Sequence, residues 1–204
     1  WIGLLGLHTR SLRAEAAVEE ALERHLSPSY RRAISSEAWP TDGPALDWRS
    51  LAVPFPVRHP DVDRVKDVTY VSGDGYHLRL DVYRHRARPR NRPMLLQIHG
   101  GAWVVGTKNE QGLPLMMQMA ACGWVCVSAD YRLSPSATFP EHLVDLKRAL
   151  CWMREHAEEY GGDPNFIVVT GGSAGGHLAA MMALTANDPE YQPGFESADT
   201  SVQG

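Results

Sequence analysis

An α/β fold, with a mostly parallel sheet flanked by helices, is predicted by three observations. Short, continuously apolar and β-branched runs recur at residues 94–98, 124–128 and 166–170, the pattern of strands buried on both faces. Helical patterns separate them at residues 111–121 and 141–160, and strands alternating with helices specify parallel pairing through crossovers. The chain has 204 residues, 44% hydrophobic and 22% charged, with a formal charge of −4. Such a composition buries a real core and excludes disorder, collagen-like repeats and a small disulfide scaffold.

In chain order, residues 8–39 hold Ala, Glu, Leu and Arg in helical proportions, with Leu12, Val18, Leu22 and Leu26 near one face, so an N-terminal helical arm is expected. Residues 39–61 are interrupted by Trp39-Pro40, Gly43-Pro44, Pro54, Pro56 and Pro60 and read as an extended linker. The expected division is therefore 1–61, arm and linker, and 62–204, the α/β domain. Val65, Val68, Tyr70 and Val71 lead into the turn cluster Ser72-Gly73-Asp74-Gly75, after which Leu78, Leu80 and Val82 alternate with polar neighbours. That pattern predicts a β-hairpin with one wet face. Arg84, Arg86, Arg88, Arg90 and Arg92 follow; in an acidic chain without interleaved aromatics they read as a solvated loop, and no nucleic-acid partner is expected. In the helix over 141–160, Leu143, Leu146, Leu150, Met153 and Ala157 form one stripe, and ~20 residues at ~1.5 Å each span ~30 Å, enough to cross a sheet face. Gly161-Gly162 and Asp163-Pro164 end it.

Cys122, Cys126 and Cys151 lie in or beside apolar runs without the paired spacing of a zinc site, so buried reduced thiols and no metal are expected. No stretch reaches the ~18 apolar residues of a membrane span. The opening Trp1-Ile2-Gly3-Leu4-Leu5-Gly6-Leu7 has two readings: the tail of a longer apolar segment, which would give membrane association through the N-terminal region, or a helix packing face. A cytoplasmic or peripheral-membrane location is expected.

Two motifs carry chemistry. After the third apolar strand stands Gly171-Gly172-Ser173-Ala174-Gly175-Gly176, a G-x-S-x-G turn between strand and helix. A nucleophilic hydroxyl must project from a tight, strained turn, and the flanking glycines let strand and helix approach, so Ser173 is the expected nucleophile. A phosphate cradle is disfavoured because no Lys follows the turn and the G-x-G-x-x-G spacing is absent. At the end of the first apolar strand lies His99-Gly100-Gly101-Ala102-Trp103. Acyl transfer needs backbone N–H donors aimed at a developing oxyanion, each worth about 2.7–4 kcal/mol in the transition state, and paired glycines leave that approach open.

With Asp130-Tyr131-Arg132-Leu133-Ser134-Pro135 and Phe139-Pro140 added, the chain resembles, from about residue 65 to about 187, the α/β-hydrolase superfamily and within it the hormone-sensitive-lipase-like and feruloyl-esterase-like (BD-FAE-like) carboxylesterases. The resemblance implies an α/β-hydrolase fold and a serine carboxylester hydrolase acting on a small-molecule ester through an acyl-Ser173 intermediate, with no cofactor. It makes Gly100, Gly101 and the N–H of Ala174 the oxyanion hole, with Gly171 and Gly175 as elbow glycines. His99 would brace the oxyanion loop, and Asp130, Tyr131 and Arg132 would anchor loops. Ala102 stands where a third glycine is common in the family. A formamidase-like amide hydrolase and a non-catalytic hydrolase-fold binding module are the rival readings.

In this fold the acid and base follow the serine in the order Asp or Glu, then His. After Ser173 the only histidine is His177, one helical turn on, and the acids Asp188, Glu190, Glu196 and Asp199 lie in turns or a polar tail. The N-terminal Trp1 and the closing Ser201-Val202-Gln203-Gly204 are read as the ends of a fragment. The expectation is thus a hydrolase domain incomplete at its C-terminus, lacking acid and base, inactive alone, and ending in an unpaired apolar sheet edge.

Overall fold

The β-branched runs become the centre of a five-stranded sheet in the computed structural model, which describes residues 2–11, 13–26 and 58–204. The strands are β1 (Val62–Gly73), β2 (Tyr76–His85), β3 (Arg92–Ile98), β4 (Val125–Ala129) and β5 (Gly162–Gly171), in the order β1-β2-β4-β3-β5. β3 pairs in parallel with both β4 and β5, while β1 with β2 and β2 with β4 run antiparallel. The hairpin closes with Gly73 opposite Tyr76, leaving Asp74 and Gly75 as the turn, and Gly75 takes a φ of 81°.

Residues 1–45 and 46–204 form two compact units. In the first, helices α1 (Ile2–Ser11) and α2 (Ala14–Leu26) replace the single arm expected from residue 8. Val18 and Leu26 are exposed and Leu22 is half-buried. Trp1, Leu12, the remainder of the arm and all of the proposed linker except residues 58–61 lie outside the described residues. No described helix is long and apolar enough to cross a membrane.

In the second unit, α3 (Leu113–Ala121) joins β3 to β4. Helix α4 (Glu141–Glu155) and the single turn α5 (Ala157–Tyr160) join β4 to β5, and α6 (Ala174–Leu184) follows β5. The 141–160 helix is therefore interrupted at His156, and Gly161 ends it at φ 88°. Its predicted stripe is fully buried, packing Leu143, Leu146, Leu150 and Met153 against Leu80, Val82, Leu96, Ile98 and Ile167 of the sheet. On the opposite face Tyr83, Leu95 and Cys126 meet Met116 and Ala120 of α3. Each fully buried Leu, Ile or Met contributes about 1.5–3 kcal/mol. The hairpin's wet face is correspondingly shorter than its alternation implies. His77 and Arg79 are exposed, but Asp81 and Tyr83 are wholly buried because β2 is an interior strand with α3 above it.

The outer edge of β5 is not bare. Gln203 N donates to Ile167 O at 2.9 Å, Val169 N to Gly204 O at 2.8 Å, and Ile167 N to Gln203 Oε1 at 2.8 Å. The expected unpaired edge is thus covered at its middle by the last two residues. The segment leading there is pinned by Lys147, fully buried on α4, whose ammonium donates to Thr185 O and, at 3.3 Å, to Gln192 Oε1. Among the thiols, Cys126 is buried, and Cys122 and Cys151 are half-buried. Of the basic run, Arg84, Arg86 and Arg92 turn to protein acceptors, at Glu159 O, Pro60 O and Gly123 O.

Candidate active site

β3 and β5 are adjacent and parallel, so the loops after them emerge side by side at the carboxyl edge of the sheet, where α/β folds place their ligands. The turn between β5 and α6 is the tight elbow that its glycines require. Ser173 is exposed at φ 54° and ψ −120°, a conformation costly for a residue with a Cβ, at about 1–3 kcal/mol. A Cβ on Gly175 would lie 2.2 Å from Ile98 O, and one on Gly171 would lie 2.4 Å from the carbonyl carbon of Gly175. Both contacts are with backbone, which cannot step aside.

The loop after β3 touches this elbow. A Cβ on Gly100 would sit 2.6 Å from Gly172 O and 3.3 Å from Ser173 Cβ. His99 is buried, and its Nδ1–H donates to Gly100 O at 2.9 Å. Because the peptide is trans, fixing that carbonyl turns the N–H of Gly101 the opposite way. The chain then runs through three consecutive left-handed residues, Gly101 (φ 127°), Ala102 (φ 52°) and Trp103 (φ 61°), closed by Val104 N and Val105 N donating to Gly101 O at 3.0 Å. Among the described residues nothing accepts a hydrogen bond from the N–H of Gly101, Ala102 or Ala174. Ala174 is the first residue of α6, where N–H groups have no intrahelical partner. Gly100 differs from expectation: its N–H is already taken, donating to Gln111 Oε1 at 2.7 Å. Sequence reasoning missed Gln111, a polar residue just ahead of a helix with no motif to mark it.

Asp130, Tyr131 and Arg132 do anchor loops. The Asp130 carboxylate accepts from Lys108 N at 2.7 Å. Tyr131 stacks on the His99 ring at 4.4 Å and donates its hydroxyl to His99 O at 2.9 Å. Arg132 forks onto Asp145, with Nη2 to Oδ1 at 2.8 Å and Nε to Oδ2 at 2.9 Å, and reaches Glu141 at 3.0 Å. A second cluster was also missed. Lys108, nearly buried, pairs with Asp67 at 2.8 Å and with buried Asp81 at 3.1 Å, and Arg64 Nε adds a bond to Asp81 at 2.8 Å. Burial by itself would lower the Lys108 pKa, but the carboxylates of Asp67 and Asp81 outweigh it and hold the ammonium above its ordinary value.

Beside the elbow opens a cleft of about 420 Å³ lined by Ala102, Trp103, Ser134, Thr138, Phe139, His142 and His177. His177 is exposed on α6 with the Trp103 ring edge-on at 5.3 Å. His142 is buried on α4, its Nε2 3.4 Å from the Ser134 hydroxyl, and burial lowers its pKa. No described side chain is hydrogen-bonded to the Ser173 hydroxyl. Asp188 caps the 3₁₀ turn Pro189–Tyr191, accepting from Glu190 N at 3.0 Å. Among the described residues no group of three His, Cys, Asp or Glu side chains is placed to hold a metal ion.

The same stretch is similar to known esterases. The BD-FAE family model matches residues 80–203. "Probable carboxylic ester hydrolase LipM" of Mycobacterium tuberculosis is 44% identical over 99% of this chain and 47% of its own length, and "Esterase LipQ" of the same organism is 42% identical over 99% and 49%. The chain thus spans about half the length of the curated relatives it matches. Among solved structures, the thermophilic esterase Est2 of Thermogutta terrifontis, in native and butyrate-bound forms, superposes with a TM-score of 0.60 at 31% identity, covering 70% of this chain and 51% of that one. With the strand order, the elbow and a family model that spans more than half of its residues, the chain belongs to the BD-FAE family, among the hormone-sensitive-lipase-like carboxylesterases of the α/β-hydrolase fold.

Proposed function

We propose that the protein is a serine carboxylester hydrolase in which Ser173 is the nucleophile. The observation that carries this reading is the contact between elbow and oxyanion loop. A strained, exposed serine stands against a loop whose Gly101 N–H, like the N–H of Ala174 across the seam, has no acceptor among the described residues. Ser173 Oγ attacks the ester carbonyl, and the oxygen of the tetrahedral intermediate is received by the N–H groups of Gly101 and Ala174, with that of Ala102 next along the loop. Each such donor supplies about 2.7–4 kcal/mol. Gly100, first expected as a donor, instead frames the hole, its N–H engaged by Gln111. The alcohol leaves, acyl-Ser173 remains, and water hydrolyses it in the second half-reaction.

No described histidine is set up as the base. His99 is committed to Gly100 O and Tyr131, His142 is buried against Ser134, and His177 lies against Trp103 on the helix of the serine itself. On this reading the acid and base come from outside residues 1–204, and these residues alone reach only the ~10³–10⁴-fold acceleration over water that binding and an oxyanion hole provide. The apolar cleft walled by Trp103 and Phe139 takes one side of a small ester, consistent with the short acid held by the butyrate-bound Est2 relative. The test is the full-length gene product assayed on p-nitrophenyl esters of graded acyl length. Turnover that prefers short chains and disappears in Ser173→Ala is expected; turnover that survives Ser173→Ala contradicts the assignment.

A further inference from the structure

We propose that Gln111 is a positioning residue of this reaction, a role that rests on the ester-hydrolase reading above. Its carboxamide oxygen lies in the seam between the two halves of the site. It accepts the Gly100 N–H at 2.7 Å, and it would be 3.3 Å from a Cβ on Gly100 and 3.9 Å from one on Gly172. Two consecutive peptides of the oxyanion loop are therefore each held by a side chain. Gln111 holds the N–H of the His99–Gly100 peptide, and His99 Nδ1 holds the carbonyl of the Gly100–Gly101 peptide. With both planes fixed, the Gly101 N–H is fixed too, and preorganisation of that donor is the property an oxyanion hole needs.

Gln111 can act as a clamp because its own loop is anchored. On its C-terminal side, Gly112 sits at φ 73°, packed so closely on Gln97 of β3 that a Cβ there would meet the Gln97 side chain at 2.5 Å. Toward its N-terminal side, Lys108 ties the loop down through its ammonium to Asp67 and Asp81, its N–H to Asp130, and its carbonyl to the Ser128 hydroxyl. Nothing in this arrangement requires Gln111 for folding, since it is exposed. Its one described hydrogen bond is to the loop that receives the oxyanion.

The experiment compares Gln111→Met, which keeps the shape and removes the acceptor, and Gln111→Ala with the wild type and Ser173→Ala, all in the full-length gene product. On p-nitrophenyl butyrate, kcat is expected to fall about 10- to 100-fold in both Gln111 variants, less than the 10²–10³-fold loss of a donor itself. KM stays within about twofold and Tm within about 2 °C. The inhibition constant of a trifluoromethyl ketone, whose adduct with Ser173 carries the oxyanion, rises by the same factor as kcat falls. A kcat that is unchanged or raised, or a loss that appears in KM or Tm with no change in ketone affinity, overturns the role of Gln111. Activity in Ser173→Ala overturns instead the reading on which that role depends.

Discussion

Arg132 gives the sharpest quantitative prediction for the scaffold of the site. Its guanidinium, 22% exposed, bonds in a fork to Asp145, which is 1% exposed, and also reaches Glu141. The Arg132 N–H donates to the same Asp145 carboxylate at 3.0 Å, and the guanidinium lies 4.8 Å from the centre of the Tyr76 ring. These contacts tie the loop after β4 to the start of α4 and hold the Arg132 pKa above its ordinary value, mainly through the hydrogen bonds to Asp145. Arg132→Ala leaves a buried carboxylate facing a single N–H. Breaking a buried pair from one side costs about 3–5 kcal/mol, whereas the Glu141 arm, 43% exposed, adds little. For a unit of this size the loss corresponds to a Tm lower by roughly 6–20 °C. Arg132→Lys, keeping the charge but not the fork, falls between wild type and Arg132→Ala. Because the damage is the orphaned carboxylate, Arg132→Met combined with Asp145→Leu recovers much of the loss. Thermal and urea unfolding of the four proteins decide it. A cost below about 1 kcal/mol for Arg132→Ala, as for an exposed pair, or a double variant no more stable than Arg132→Ala, would show that the orphaned carboxylate is not the cause.

Three further perturbations follow from the geometry. Gly175→Ala drives a Cβ into Ile98 O at 2.2 Å, so soluble yield and Tm should collapse; a variant with wild-type melting contradicts the close packing of elbow and β3. Ala102 at φ 52° carries a left-handed cost of roughly 1–2 kcal/mol that glycine avoids, offset in part by the greater freedom of the unfolded chain. Ala102→Gly should therefore hold or raise Tm, and a clear drop counts against that backbone. His142 is pushed below its ordinary 6.5 by burial, so between its folded value and 6.5 the unfolded chain binds more protons. Its contribution is complete above 6.5 and is lost as pH falls below it; His142→Gln should flatten the fall in urea stability on the acid side of 6.5, and an unchanged slope contradicts the assignment.

Much of this was legible because it is local. The G-x-S-x-G turn, the Asp74-Gly75 hairpin and the Leu143 to Ala157 stripe are set by glycine conformation and by periodicity, and each stands where its pattern put it. What the sequence concealed depends on partners distant along the chain. Asp81 looks like the polar position of an alternating strand, yet it is buried because Lys108 and Arg64 arrive to neutralise it. Tyr83 is buried because α3 crosses over it. Gln203 and Gly204 carry no strand signal, and only the free N–H and C=O groups of β5 give them a place. Gly100 and Gly101 read alike in the motif, and Gln111, eleven positions after Gly100 in sequence, makes them different.

Whether Ser173 is the residue acylated beside the oxyanion loop is decided by intact-mass and peptide mass spectrometry of the full-length gene product. The protein is treated with a fluorophosphonate ester and competed with p-nitrophenyl butyrate. One adduct per chain is expected, on the peptide containing Ser173, suppressed by the ester and absent from Ser173→Ala. An adduct on another residue, or a full adduct in Ser173→Ala, would contradict acylation at Ser173.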